Sequence, residues 1–207
     1  MKNNLKTAVK EKEIKHLLHF TKMENLDSIL KNGLIGRTEL EESGINHVTN
    51  DSYRYDQQES AICCSIGHPN YKMFYALRQQ DTSVPWVVIA IKRVVLWSKK
   101  CAFCTTNAGN NTVSSIPIDD RIGFNPFMAM FSEQEHVPSR TKLGIPDRCP
   151  TDPQAEVLVL EPIQPKYILA VLTSTDRVAI ELREKYPEFR FEYIRTAFSY
   201  RKDYTHW

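Results

Sequence analysis

Four apolar residues in succession, Val157-Leu158-Val159-Leu160, lie between Pro153 and Pro162, and two of them are β-branched. Proline is excluded from helix interiors and from central ladder positions, so a short apolar run bracketed by prolines is a strand. Glu156 stands at its entrance. Alternate residues of a strand share a face, which puts Glu156, Leu158 and Leu160 on one side. A carboxylate in that position lies at the rim of a buried region or partly inside it. An unpaired buried charge costs several kcal/mol, roughly, even after relaxation. Glu156 therefore needs water at a rim, an arginine partner or a ligand, and the strand alone leaves all three open.

The other apolar runs are also short. His16–Thr21, Ala61–Ile66, residues 84–96 (one long strand or two), Lys166–Thr173 and the alternating Phe189–Ile194 all read as strands. Met23, Leu26, Ile29 and Leu30 fall at helical spacing, with Thr21 and Glu24 as a capping box and Gly33 as the stop. The N-terminus of such a helix presents unpaired N–H groups to whatever lies beside Thr21, which suits an anionic or hydroxyl-rich ligand; a plain structural cap explains the pattern equally. Further helices are expected from Tyr71 to Arg78 and from a Thr175 or Asp176 cap to Tyr186. Neither an internal repeat nor a linker interrupts the series. The expectation is a single α+β domain over residues 1–207, with residues 1–15 a polar N-terminal arm.

Residues 105–150 show no period. A long irregular segment inside a compact domain is a functional loop or an insertion. This one carries Phe124, Phe127 and Phe131, then Arg140, Lys142 and Arg148, and leads into Glu156. A substrate-binding loop region fits that content. Arg54, between Tyr53 and Tyr55, has the setting of a guanidinium pre-aimed by stacking, although an ordinary surface arginine has it too.

A formal charge of +2 on 207 residues is too small to signal a bulk nucleic-acid binder, though a local patch can still hold phosphates. The longest apolar runs fall short of the ~18 residues of a membrane span. Met1–Lys6 lacks the apolar core of a signal peptide, and five cysteines fit a reducing compartment. A soluble, cytoplasmic protein with no membrane partner is expected. Cys101-Ala-Phe-Cys104 lacks the second ligand pair of a structural zinc site, so no metal is expected. No dinucleotide fingerprint, P-loop or nucleophile elbow is present.

Three stretches taken in order carry a resemblance. His19-Phe20-Thr21 with Asn25-Leu26, Ile29-Leu30 and Gly33, then Gln154-Ala-Glu-Val-Leu-Val159 with Pro162 and Tyr167-Ile168, then Arg201-Lys-Asp-Tyr204, resemble the DarT-type DNA ADP-ribosyltransferases. The resemblance runs from about residue 16 to the end and is weak in the middle. It implies a split NAD-binding core of two facing β-sheets with peripheral helices. It also implies a toxin that moves ADP-ribose from NAD onto a base of single-stranded DNA, releasing nicotinamide. Its antitoxin would be a macrodomain-type partner that removes ADP-ribose. On this resemblance Glu156 is the catalytic carboxylate and Arg54 the active-site arginine. His19, Phe20, Thr21, Ser28, Gly33 and Arg54 contact NAD. From the composition of residues 105–150 alone, Phe127, Arg140, Lys142 and Arg148 are the candidates for DNA. Ser65-Ile-x-x-Pro-Asn-Tyr-Lys-Met-Phe74 is more similar to the guanine-modifying branch than to the thymine-modifying one.

The chemistry asks for these residue types. Breaking the ribose–nicotinamide bond builds positive charge on the ribose, which a carboxylate stabilises. The same group can take a proton from the attacking base, worth typically ~10²–10⁴-fold. Two alternatives stand beside this reading: an ADP-ribosyltransferase acting on RNA or protein, and a non-catalytic nucleic-acid-binding module with Glu156 at its rim.

Overall fold

The structure, a computed structural model, describes residues 4–49 and 58–207. Arg54 lies outside the described residues. Seven strands follow the spatial order β4-β5-β2-β1-β3-β6-β7. In chain order they are β1 His16–Lys22, β2 Ile62–Ile66, β3 Trp86–Lys92, β4 Cys101–Cys104, β5 Glu156–Val159, β6 Ile168–Thr173 and β7 Phe191–Tyr193. All neighbours are antiparallel except β6 and β7, which run parallel across the helix Asp176–Lys185. Thr175 caps that helix, as its sequence implies, by accepting from Val178 N.

The two expected sheets are the two wings of this one order. β1 pairs with β3 over its whole length, from His16↔Lys92 to Lys22↔Trp86. It pairs with β2 only at Leu17↔Ile66 and Leu18↔Ser65. Beyond that, β2 carries on with β5 (Ile62↔Val159, Cys64↔Val157) while β1 carries on with β3. The wings therefore part where His19-Phe20-Thr21 leaves Cys63-Cys64, and a cleft opens between them.

Helix α1, Leu5–Glu11, is capped by Asn4 and buries Val9 to 0%, with Ile14 beyond it at 1%. The N-terminal segment is thus part of the core and not a solvated arm. Ala8, Val9 and Ile14 supply the apolar positions; between them Lys10 faces water and Lys12 lies over the Phe131 ring. The predicted helix after β1 is a 3-10 turn, Met23–Asn25, followed by α2, Leu26–Asn32. Thr21 does not cap it: β1 runs on to Lys22, and the Thr21 hydroxyl accepts instead from Asn25 Nδ2 at 2.9 Å. Leu26, Ile29 and Leu30 bury the inner face of α2. Helix α3 is Arg37–Glu42, and α4, Tyr71–Gln80, lays Phe74 against Phe20 and Trp86 on the opposite face of the β1 wing.

Residues 105–150 form short helices joined by turns, among them Asn111–Ser114, Phe124–Ala129 and Arg140–Leu143. Phe127 is 0% exposed and meets Phe103 edge-on at 5.3 Å between ring centres. This part of the irregular segment closes the main core. Among the described residues, no helix is long and apolar enough to cross a membrane.

Candidate active site

A cavity of about 210 Å³ occupies the cleft between the wings. His19, Phe20 and Thr21 of β1, Ser28 of α2 and Gly33 line it. So do Cys63, Cys64 and Ser65 of β2, Asn107-Ala108-Gly109 and Glu156. Five residues expected to touch a cofactor thus line the same cavity as the expected catalytic carboxylate.

Each is placed for a physical reason. Past Leu18 the β1–β2 ladder ends, and the Cys63 carbonyl turns to the His19 ring, whose Nδ1 donates to it at 2.8 Å. A carbonyl only accepts, so Nδ1 carries the proton and the orientation of the imidazole is fixed. The Phe20 ring stacks on Phe74 at 4.6 Å, which fastens β1 to α4. Asn25 donates to Thr21 Oγ1 and to Val48 O, and accepts from Val48 N. It thereby pins the His47-Val48-Thr49 stretch over the cavity, whose lining includes all three. Gly33 has φ +88°, and a Cβ there would lie 2.2 Å from Ile163 O. Only glycine lets Leu34 bridge to Ile163 and close this end of the site.

Glu156 is 5% exposed. Its Oε2 accepts from Ala108 N at 2.9 Å, and its Oε1 accepts from Asn70 Nδ2 and Asn107 Nδ2, both at 3.3 Å. Asn70 is itself fully buried and caps α4 by accepting from Met73 N. Its own N–H donates to Ser65 Oγ. Burial pushes the Cys64 thiol beside this group well above its ordinary pKa, so it stays protonated. The site therefore holds a carboxylate at the edge of an apolar, partly enclosed space, with Asn70, Asn107 and Ala108 donating to it among the described residues.

Asn25, Asn70, Asn107 and Ala108 have no counterpart among the sequence-derived candidates. Asparagine in a turn reads as a turn former, and nothing local says which carboxylate its amide will reach.

The DNA candidates fare differently. Phe127 is sealed in the core and offers no face to a base. Arg140 donates to Thr151 Oγ1, Pro146 O and Cys149 O at 2.8, 3.1 and 2.9 Å, so its guanidinium folds its own loop. Lys142 and Arg148 are exposed and, among the described residues, have no ion-pair partner. Arg148 borders a second groove with His16, His68, Ala170 and Thr196.

Cys101 and Cys104 lie on β4 three residues apart. They point to opposite faces, Cys101 into the main core and Cys104 into a smaller cluster, and so cannot share an ion. Among the described residues no disulfide forms, and no cluster of three or more metal-ligating side chains occurs.

A family model described as DarT, ssDNA thymidine ADP-ribosyltransferase, matches residues 18–200. No curated protein sequence matches the chain. Among solved structures, DarTG of Thermosipho africanus in complex with ADP-ribose superposes with a TM-score of 0.62 at 20% identity. That match covers 89% of this chain and 51% of the other, so the chain spans about half the length of that relative. DarT of Thermus sp. 2.9 in complex with ADP-ribosylated ssDNA gives a TM-score of 0.61 at 13% identity, covering 90% and 97%. The same protein in complex with NAD+ gives 0.56 at 14% identity, covering 90% and 98%. The α+β architecture of the chain is that of these structures.

Proposed function

The chain belongs to the DarT family, a class of NAD-dependent DNA ADP-ribosyltransferases, and from that premise we propose that it transfers ADP-ribose from NAD onto guanine in single-stranded DNA. The observation that carries the reading is Glu156, held by Asn70, Asn107 and Ala108 and sharing one cavity with His19, Thr21, Ser28 and Gly33. NAD enters with its nicotinamide ribose in this cavity, within reach of Glu156. The bond from ribose C1 to the nicotinamide nitrogen breaks, and its electron pair leaves on nicotinamide. A lone pair of the base nitrogen forms the new bond to C1. The proton that nitrogen sheds passes to Glu156 and on to water. Glu156 also stabilises the positive ribose, an electrostatic task for which a pre-aimed buried carboxylate suits better than a solvated one.

The base is read from residues beside the carboxylate. The family description names thymidine. Ser65, Asn70 and Met73 belong to the stretch that resembles the guanine-modifying branch; Ser65 and Met73 line the cavity, and Asn70 touches Glu156. Lys142 and Arg148 are the remaining candidates for the DNA phosphates. Single-stranded substrate spares the cost of extruding a base from a duplex. An antitoxin of macrodomain type, able to remove the modification, is the partner this activity calls for, since unchecked DNA modification is toxic.

Mass spectrometry of nucleosides from single-stranded DNA treated with enzyme and NAD tests the reading. The expected product is deoxyguanosine carrying ADP-ribose. ADP-ribosylated thymidine would correct the base alone. No modified nucleoside, with label appearing on RNA or protein, would overturn the DNA reading.

A further inference from the structure

Arg121 ends the 3-10 turn Ile118–Arg121 and is 4% exposed. Among the described residues its guanidinium has a single hydrogen-bond partner, the Cys104 thiol, with Nη1 to Sγ at 3.6 Å. Its Nε is buried with no partner. Arginine stays charged under all ordinary conditions, so this is a buried cation whose hydrogen-bond partner is a weak, neutral acceptor. Such an arrangement is costly unless an anion stands near enough to compensate it.

Asp119 and Asp120 of the same turn are exposed, and Asp119 pairs with Lys100, so the buried anion is the one across the strand pair. Cys104 and Glu156 are direct partners in the β4–β5 ladder. Directly opposed residues send their side chains from the same face, with Cβ atoms about 5 Å apart. Ala108, whose N–H donates to Glu156 Oε2, packs in the same small cluster as Cys104. Ile122, next to Arg121, bridges to Ala102 and holds the turn against this edge of the sheet. The thiol thus lies between a buried guanidinium and a buried carboxylate. Arg121 is not part of the cavity lining and meets Cys104 from outside the cavity.

We propose that Arg121 is a positioning residue whose buried charge, acting across Cys104, keeps Glu156 ionised and aimed into the cavity. The inference rests on the reading of Glu156 as the catalytic carboxylate. Other titratable groups also surround Glu156: His19 on β1, Arg37 on α3, His47, and the thiols of Cys63 and Cys64 on β2, all in the cavity wall, with Cys104 on β4. Asn70, from α4, contributes a neutral donor. Among the described residues, Arg121 is the cation placed on the cluster side, outside the cavity lining.

The test is the pH dependence of kcat for DNA ADP-ribosylation in the full chain. Loss of an opposite charge close to a carboxylate raises its pKa by about one unit or more. Arg121→Met is therefore expected to move the acidic limb of the profile up by about one pH unit, with KM for NAD changed less than about twofold. Arg121→Lys, which keeps the charge, is expected to restore the limb. A limb that stays in place in Arg121→Met, while activity falls only in step with the melting temperature, would overturn the proposal and leave Arg121 a structural residue. Should Arg121→Met fail to fold, Arg121→Gln, which keeps donors and removes the charge, decides by the same two outcomes. Transfer that survives Glu156→Gln would instead overturn the catalytic reading itself, and this inference with it.

Discussion

The Oδ1 of Asn70 accepts from Met73 N and caps α4, while its Nδ2 donates to Glu156. The two roles separate by substitution. Serine keeps a capping oxygen but is too short to reach the carboxylate. Asn70→Ser is therefore expected to hold thermal stability within about 1 kcal/mol of the native protein, yet to lower kcat for transfer roughly tenfold or more. Asn70→Ala loses the cap as well and is expected to fall by about 1 kcal/mol more in thermal unfolding. Equal activity in Asn70→Ser and the native enzyme would show that the amide does nothing for Glu156. Glu156 itself is legible in the sequence because a charge at the mouth of a proline-bracketed apolar run conflicts with burial, and that conflict marks a site. Asn70 is not, because the need for its amide is set by a residue 86 positions away. Phe127 misleads for a related reason. An aromatic in a stretch without period looks available for stacking, and only the packing of β4 against the Phe124–Ala129 helix takes it inside.

At the scale of elements, the cleft exists because β1 and β2 stop pairing after Leu18 and Ser65. Its far end is closed by the turn from α2 to the Leu34–Ile163 bridge, which depends on Gly33. Gly33→Ala places a Cβ 2.2 Å from Ile163 O in a backbone region that side chains avoid. Gly44 is the internal comparison, with φ +62° and nothing within 4 Å of a Cβ. Gly44→Ala is expected to cost about 1 kcal/mol for the left-handed backbone alone. Gly33→Ala is expected to cost about 3 kcal/mol or more and to weaken NAD binding, as thermal unfolding and calorimetric titration would show. Equal losses at the two positions would mean the bridge does not hold this wall. The β1–α2 unit was readable because its apolar positions repeat at strand and then helix spacing. The capping box was a false lead: Thr21 sits inside the strand, and its hydroxyl goes to Asn25. β4 is hidden in the sequence because its four residues, Cys101–Cys104, spell a metal-like motif before they spell a strand.

Across the whole molecule, the C-terminal tail reaches back to hold the segment that leads into Glu156. Arg201 is 7% exposed and donates to Pro150 O and Thr151 O at 2.7 and 2.6 Å, while its Nε and Nη2 pair with Asp203. Trp207 Nε1 donates to the same carboxylate at 2.6 Å. The resemblance at Arg201-Lys-Asp-Tyr204 thus acquires a physical content, an ion pair that fixes residues 150–151 shortly ahead of β5. Burial by itself raises the Asp203 carboxyl, but the hydrogen bonds and charge of Arg201 and the indole N–H outweigh it and hold the group below its usual pKa. A carboxyl depressed in the folded state stabilises the fold above its unfolded value, about 3.9, and loses that contribution as pH falls through the folded value. Asp203→Asn leaves the buried guanidinium without its counter-charge and is expected to cost roughly 3 kcal/mol at pH 7. The gap between variant and native protein is then expected to hold from neutral pH down to about pH 4 and to narrow below it, as the native Asp203 takes up a proton. Urea unfolding at a series of pH values reads this directly. A gap that stays constant down to pH 2 would mean that Asp203 contributes through shape and hydrogen bonding alone, and that the charge of the tail plays no part in holding the approach to Glu156.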